Sequence, residues 1–595
     1  MKISFTKEQL KAIRAPLDPS LVLAGAGTGK TSVMAERAIW LIENENILPS
    51  EILGLTFTNK ASLELKGRIK NKLTKNEDFL EPKVSTYHSF ALDILRDYGL
   101  SIGIDSDLQL ISETSRISLA YQVLVNTNLE IKYLESSPRR IAQQIVSLDN
   151  QMSEHNLNKS VLIEYSNKLF KEIQQTKPRV ALIDLEKTLK QRIELASLVE
   201  EFRIQKIESG LIDFSDQMRF VYELVKNNTN IRDELRSNFK AVLLDEYQDT
   251  SVIQRMILVE IFGDAHPVTA VGDPLQAIYG WRGASVSNID NFTKHFPLKD
   301  GNASKIYNLT SNFRSGLKIL EHANSISKSL RDMHKAINVL VADKEDSGEV
   351  KIGLYETGDE EAKEIVKQVK ELIFEKKAQY KDIVILSRNT KELLPIYDQL
   401  IKNEIPAAFS GKQDLADVPE VSEVLSYLRI LEDPTHNPSL VRILSGPRFE
   451  VSPKDLALLA EQAKTLVKDF TVREKNRNFE VSLKESLTGI DVAELAVLSD
   501  ALKQPGNLNY SNWAREVFKK LHEELEFLRK FITEPLSDYL FRIMTKTGLL
   551  NEVLCSNNFM TQSRYDSLVQ LQKIAQVFQE STTHAVVRQL SLIHI

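Results

Sequence analysis

The sequence predicts an α/β fold, with parallel sheets covered by helices and a long helical segment inserted into the first of them. Short apolar runs, Leu21–Leu23, Ile52–Phe57 and Ala241–Leu244, read as fully buried strands, each running into a turn and then a helical pattern. The first of these turns, in Ser20–Thr31 (SLVLAGAGTGKT), has the strand, glycine loop and helix order of a phosphate cradle. Between about Leu92 and Gly210 the pattern turns helical, polar and long, with breaks near Pro138 and Pro178, which reads as a separate subdomain.

Ahead of the loop, Thr6 is a candidate N-cap for a short helix ending near Pro16. Gln9 falls on that helix, and its amide both donates and accepts, which suits an adenine edge; the alternative is a surface glutamine. In the loop, Gly25, Gly27 and Gly29 let the backbone bring its N–H groups to an anion, with Ala26 and Thr28 between them. Ala24 stands where the strict pattern has glycine, which asks only that this position tolerate a Cβ. Lys30 reaches for β/γ-phosphates and Thr31 offers a hydroxyl to Mg²⁺, with Ser32 in the same first turn.

The second strand, Ile52–Phe57, leads into Thr58, Asn59 and a helix through Arg68, and the third, from Lys83 through Phe90, ends in polar and aromatic residues. Ligands bind at the carboxyl ends of such strands, so Phe57, Asn59, Tyr87 and His88 are expected on the edge that carries the phosphate loop. Aromatics with amide partners there suit a single nucleic-acid strand. Core packing for Phe57, and a structural hydrogen bond for His88, are the alternatives. The sheet resumes at Leu211–Asp216 and Ala241–Thr250, where apolar residues run into Asp245 and Glu246. Asp245 suits a Mg²⁺ shell and Glu246 an attacking water. In Ala270–Ala284, Gln276 is placed to sense a γ-phosphate, and Tyr279, Trp281 and Arg282 offer stacking faces and a cation, unless the two rings pack a domain interface. Ile306–Leu309 then leads to Phe313, a platform for a base, and Arg314, a charge clamp from a second domain.

The 595 residues suggest about four domains at roughly 150 residues each. A net charge of −6 argues against bulk attraction to nucleic acid and leaves only a local groove. The single cysteine, Cys555, excludes an intrachain disulfide, and no stretch has the length of a membrane span or a signal peptide, so a cytoplasmic location is expected.

Together AGAGTGKT, TFTNKA, TYHSFA, DFSDQ, LLDEYQDT, AVGDPLQAIYGWRGA and LTSNFRS resemble, in order, the motifs of the UvrD-type (PcrA, Rep) superfamily one DNA helicases. The resemblance implies two RecA-like P-loop domains, the second incomplete, each carrying a helical insertion. It implies motor domain 1A in 1–91 and 211–285, insertion 1B in 92–210, motor domain 2A from 286 to 436 and insertion 2B from 437 to 595. It implies ATP and Mg²⁺ as cofactors and 3′ to 5′ translocation on single-stranded DNA and its junctions with duplex. By resemblance Gln9 reads adenine, Phe313 stacks on it, Arg37 is a further nucleotide contact, and Gln276 and Arg314 sense the γ-phosphate. Lys30, Asp245 and Glu246 complete the catalytic set, and Phe57, Asn59, His88, Phe214, Tyr279, Trp281 and Arg282 take the DNA strand. The family's T-x-H-x-x-K-G-L-E and R-R-L-x-Y-V-A-x-T-R-A segments are not in the sequence, which implies a chain ending within 2B and hydrolysing ATP poorly; the final LSLIHI resembles a translated adaptor. A translocase that unwinds poorly, a nucleotide-gated DNA-binding module and a small-molecule P-loop kinase are the other readings.

Overall fold

Backbone and side chains come from a computed structural model, which describes residues 5–73, 81–104, 109–175, 180–334, 336–409, 415–475, 497–555 and 561–581. The proposed adaptor end therefore lies outside the described residues. Two compact units divide the chain, Met1–Ile352 and Gly353–Ile595.

The first unit is built on six strands: β1 (Ser20–Ala24), β2 (Ile52–Thr56), β3 (Lys83–Thr86), β4 (Ala241–Leu244), β5 (Val268–Gly272) and β6 (Lys305–Leu309). All pair parallel, in the order β3-β2-β4-β5-β1-β6. Alternate residues feed two cores, Leu21, Leu23, Val242 and Leu244 on one face, Val22, Ala24, Ala241 and Leu243 on the other. A sheet buried on both faces needs unbroken apolar runs, which is why these strands stand out in the sequence.

Two expectations change at the edges of this sheet. β6 pairs with β1 from Ser20–Lys305 through Ala24–Leu309, so it closes the first sheet rather than opening a second, and the unit runs past residue 285 to Ile352. β3 stops at Thr86, whose hydroxyl accepts from Ser89 N at 3.3 Å and starts helix α4 (Tyr87–Tyr98). A side-chain cap outweighs the strand propensity of the aromatic run, and His88 sits on a helix's first turn.

The insertion is helical as expected, with α5 (Glu113–Asn126), α6 (Pro138–Glu154), α7 (Lys159–Gln174) and α8 (Val180–Glu208) around a core that includes Ile145, Leu198 and Phe202. Pro138 opens α6 at its first turn, where its missing N–H costs nothing. A two-residue parallel ladder, Gln109–Leu110 against Leu211–Ile212, joins the entry and exit of the insertion.

Among the described residues the second unit is helical, around a core that includes Val421, Leu428, Phe518, Leu525 and Leu540. The runs expected to build a second sheet, VKIGLYE and DIVILSRN, pair with no strand among the described residues, and Leu354 and Leu386 are 98% and 88% exposed. Their flanking helices, Gly358–Phe374 and Thr390–Lys402, do form and pack through Ala362, Val366, Ile396 and Leu400.

Candidate nucleotide site and nucleic-acid groove

The phosphate loop leaves β1 at Ala24, which is buried and fully strand-like, so the alanine in place of glycine is accommodated in the ladder against Leu309. Gly27 and Gly29 take φ of +74° and +85°, a region open to glycine at little cost. Helix α2 (Lys30–Asn44) starts with Gly29 as N-cap and no side-chain cap, leaving its first N–H groups and dipole end for an anion. Thr28 ties its hydroxyl to Gly25 O at 2.9 Å.

Gln9 is no surface glutamine. On helix α1 (Lys7–Ile13) it is 6% exposed, its Oε1 accepting from Thr6 N at 2.9 Å and its Nε2 donating to Thr28 O at 2.9 Å. The capping box of α1 thereby points an amide at the loop. Arg37 has other work than the nucleotide contact expected of it. Buried on α2, its guanidinium donates to Ile13 O and Pro16 O at 2.9 and 2.8 Å and to Ala15 O, and burial lowers its pKa to about 10. It holds the chain that follows Gln9. Ser32 accepts from Arg68 at 2.8 Å.

Across the sheet, the carboxyl end of β4 presents Asp245 and Glu246. Glu246 takes φ of +45°, and its Oε2 meets Lys30 Nζ at 2.7 Å. Asp245 Oδ1 is buried without a hydrogen-bond partner, and burial, then the neighbouring Glu246 charge, raise the pKa of that carboxyl to about 6. A buried carboxylate with one unpartnered oxygen and the Thr31 hydroxyl are hard oxygen donors, which fit a Mg²⁺ that phosphate oxygens and water would also ligate. Gln248, which carried no signal of its own in the sequence, links the ends of β4 and β5. Its Nε2 donates to Glu246 Oε2 at 2.8 Å, and its Oε1 accepts from Asp273 N at 2.9 Å. Gln276 donates to Asp273 at 2.7 Å.

Arg314 lies against the phosphate loop from within the same unit. Phe313 N donates to Gly27 O at 2.9 Å, Asn312 Nδ2 donates to Ala26 O at 2.5 Å, and a Cβ on Gly27 would stand 2.7 Å from Arg314 Cβ. Expected from a second sheet, this segment instead follows β6, whose pairing with β1 delivers it beside the loop. The Arg314 and Phe313 side chains are exposed.

The predicted DNA residues converge. Phe57, His88, Phe214, Trp281 and Arg282 line one groove of about 700 Å³. Tyr279 joins them through ring contacts, 4.8 Å from Phe57 and 6.4 Å from Trp281, and the Arg282 guanidinium lies 4.6 Å over Trp281. His88 meets Phe214 edge-on at 5.2 Å, and burial lowers its pKa to about 4, so it is a neutral ring. Trp281 is 74% exposed and Phe214 53%, which favours a stacking face over interface packing. Asn59 is exposed at the start of helix α3 (Asn59–Leu73) and is not among the groove's lining residues.

The opposite wall was missed. It comes from the insertion, where Gln143, Ser147, Asn150, Gln151 and Glu154 form one stripe of α6. Their spacing, four, three, one and three residues, is the period of a helix face and was readable in the sequence.

Residues 5–297 match the UvrD/REP helicase N-terminal domain, and residues 307–591 match the UvrD-like helicase C-terminal domain. The chain belongs to the UvrD-like helicase family. It is similar to the ATP-dependent DNA helicase PcrA of Staphylococcus aureus, 26% identical over 580 residues, which covers 97% of this chain and 70% of the relative. The Staphylococcus epidermidis PcrA is likewise 26% identical over 581 residues, 97% and 71% of the two chains. Because the C-terminal match continues to residue 591, the expectation of a UvrD-like chain stopping inside its second insertion finds no support. As a UvrD-like helicase it is an ATP-dependent enzyme acting on DNA. No helix among the described residues is long and apolar enough to cross a membrane.

Proposed function

We propose that the chain moves 3′ to 5′ along single-stranded DNA and opens duplex at junctions, in repair, replication restart or recombination. One observation carries this reading. The segment from Gly272 to Gly283 leaves β5 at the nucleotide site with Asp273 and Gln276, and reaches the groove with Tyr279, Trp281 and Arg282. A change at the γ-phosphate therefore has a short covalent route to the rings on which bases stack.

In this reading the triphosphate occupies the N-terminus of α2. Lys30, now paired with Glu246, turns to the β/γ-oxygens, which frees Glu246 to orient and deprotonate the attacking water. Thr31 and Asp245 would hold Mg²⁺, which would supply charge neutralisation at the phosphates. Gln276 and Arg314 contact the γ-phosphate, Gln9 the adenine edge, and Phe313 its face. Neutral His88 contributes stacking and a ring nitrogen to the strand. Domain closure on ATP and reopening after hydrolysis pass bases along Phe57, Phe214, Tyr279 and Trp281.

The test is unwinding of duplexes carrying a 3′ or a 5′ single-stranded tail, beside phosphate release with and without oligo(dT). Unwinding from 3′ tails with DNA-stimulated hydrolysis is expected. A preference for 5′ tails overturns the direction, and an absence of phosphate release with or without oligo(dT) leaves a nucleotide-gated binding module that does not hydrolyse.

A further inference from the structure

Lys206, on α8 of the insertion, is fully buried. Its ammonium meets three carboxylates, Asp213 Oδ2 at 2.5 Å, Asp216 Oδ2 at 2.7 Å and Asp149 Oδ2 at 3.2 Å. Asp213 and Asp216 are the reciprocal capping box of helix α9 (Phe214–Asn227), with Asp213 Oδ1 accepting from Asp216 N at 2.9 Å and Asp216 Oδ2 from Asp213 N at 3.1 Å. Phe214 is the first residue of that helix, enclosed by the box. Asp149 comes from α6, and Arg203 of α8 fixes it through Nε at 2.6 Å. From α5, Arg116 pairs with Asp213 at 3.0 Å and donates to Asn150 Oδ1 at 2.6 Å, an atom that also accepts from Ser215 at 3.2 Å. Arg219 faces Asp216 from α9 itself at 3.2 Å.

A capping box needs no buried lysine, and a helical insertion can pack on a sheet through apolar contacts alone. Burying Lys206, Arg116 and three carboxylates, with Arg203 and Arg219 half-buried beside them, is costly unless geometry holds every charge, so the arrangement works as a rigid register between elements. Its outlet is Phe214, which is half exposed and edge-on to His88. We infer that Lys206, gripped by Asp149, is a positioning residue that fixes the Phe214 ring in the groove, so that the helical insertion sets how the strand is stacked.

This rests on the groove being the DNA site, and the experiment separates the two. Affinity for fluorescently labelled oligo(dT) is measured by anisotropy for the full chain and for Phe214→Ala, Lys206→Met, Asp149→Asn and the doubles with Phe214→Ala, with DNA-free ATP hydrolysis as a second readout. Phe214→Ala should weaken binding about 5- to 100-fold. Lys206→Met and Asp149→Asn should each weaken it several-fold, leave DNA-free hydrolysis unchanged, and add nothing on the Phe214→Ala background. Should Lys206→Met fail to fold, Asp149→Asn, which keeps the lysine paired with the capping box, decides the question. Losses that multiply in the doubles, or no loss in Asp149→Asn, overturn the positioning role alone. An unaffected Phe214→Ala overturns it together with the groove reading.

Discussion

Lys30 and Glu246 neutralise each other at 2.7 Å, with the carboxylate side chain 35% exposed. A half-solvated pair of this kind contributes about 1 kcal/mol or less, so Lys30→Ala should leave the fold intact by circular dichroism. The same substitution removes the cation that meets the phosphates, and ATP turnover should fall at least about 100-fold; retained phosphate release would refute the role. Trp281→Ala should weaken oligo(dT) binding by about 1–3 kcal/mol, and unchanged affinity would assign the ring to packing. His88 gives a pH prediction. Its pKa falls from 6.5 in a free chain to about 4 in the fold because burial disfavours the cation. The unfolded state therefore binds the extra proton first, and this residue's contribution to stability declines as pH drops from 6.5 towards about 4. His88→Gln should lose less stability than the parent on acidification through that window, followed by urea denaturation. A parallel decline would show that the ring is not held neutral.

At the scale of elements, loops at the carboxyl edge of the sheet carry the proposed function, and their glycines show how tightly they are seated. Gly283 has φ of +80°, and a Cβ there would stand 2.6 Å from Glu154 Cβ on α6. Gly283→Ala thus meets both a backbone penalty of about 1–3 kcal/mol and a clash with the insertion. Oligo(dT)-stimulated hydrolysis should drop several-fold while DNA-free hydrolysis is kept, because the clash lies at the groove end of the Gly272–Gly283 segment. Equal loss of both rates would place the damage at the phosphate loop. Gly272 is constrained from the other end, since a Cβ would approach Gln248 Oε1 to 2.5 Å. The α6 stripe belongs to this scale too. Residues such as Ser147 and Asn150 are unremarkable one by one, and only their shared face and the opposing aromatics give them a meaning.

At the scale of the molecule, each unit has cores of its own. The second unit's main core draws only on residues between Leu415 and Ala575, and beside it half-buried Arg448 donates to buried Glu524 at 2.7 Å and to buried Tyr427 Oη at 2.8 Å. Replacing Arg448 by Met strands a carboxylate that is 5% exposed and should destabilise that unit by about 3–5 kcal/mol. Calorimetry of the full chain should show one transition moving down and another staying. Both moving together would mean that the units unfold as one.

By itself the sequence determined the buried strands at Leu21–Leu23, Ile52–Phe57 and Ala241–Leu244, the phosphate loop and the identity of the groove aromatics. Buried parallel strands and glycine-dependent loops are local demands that leave local signatures. It also showed that a long helical segment interrupts the sheet, because periodicity changes there. Tertiary structure alone decided that β6 pairs with β1 and so brings Arg314 to the phosphate loop, since edge pairing depends on which strand is free and not on the run's composition. It alone turned Arg37 towards three backbone carbonyls, set the α6 stripe opposite Trp281, and closed Lys206 onto carboxylates 7, 10 and 57 positions away. Charges distant along the chain carry no mutual signal until folding excludes water from between them, and at that point their pairing becomes a condition of burial.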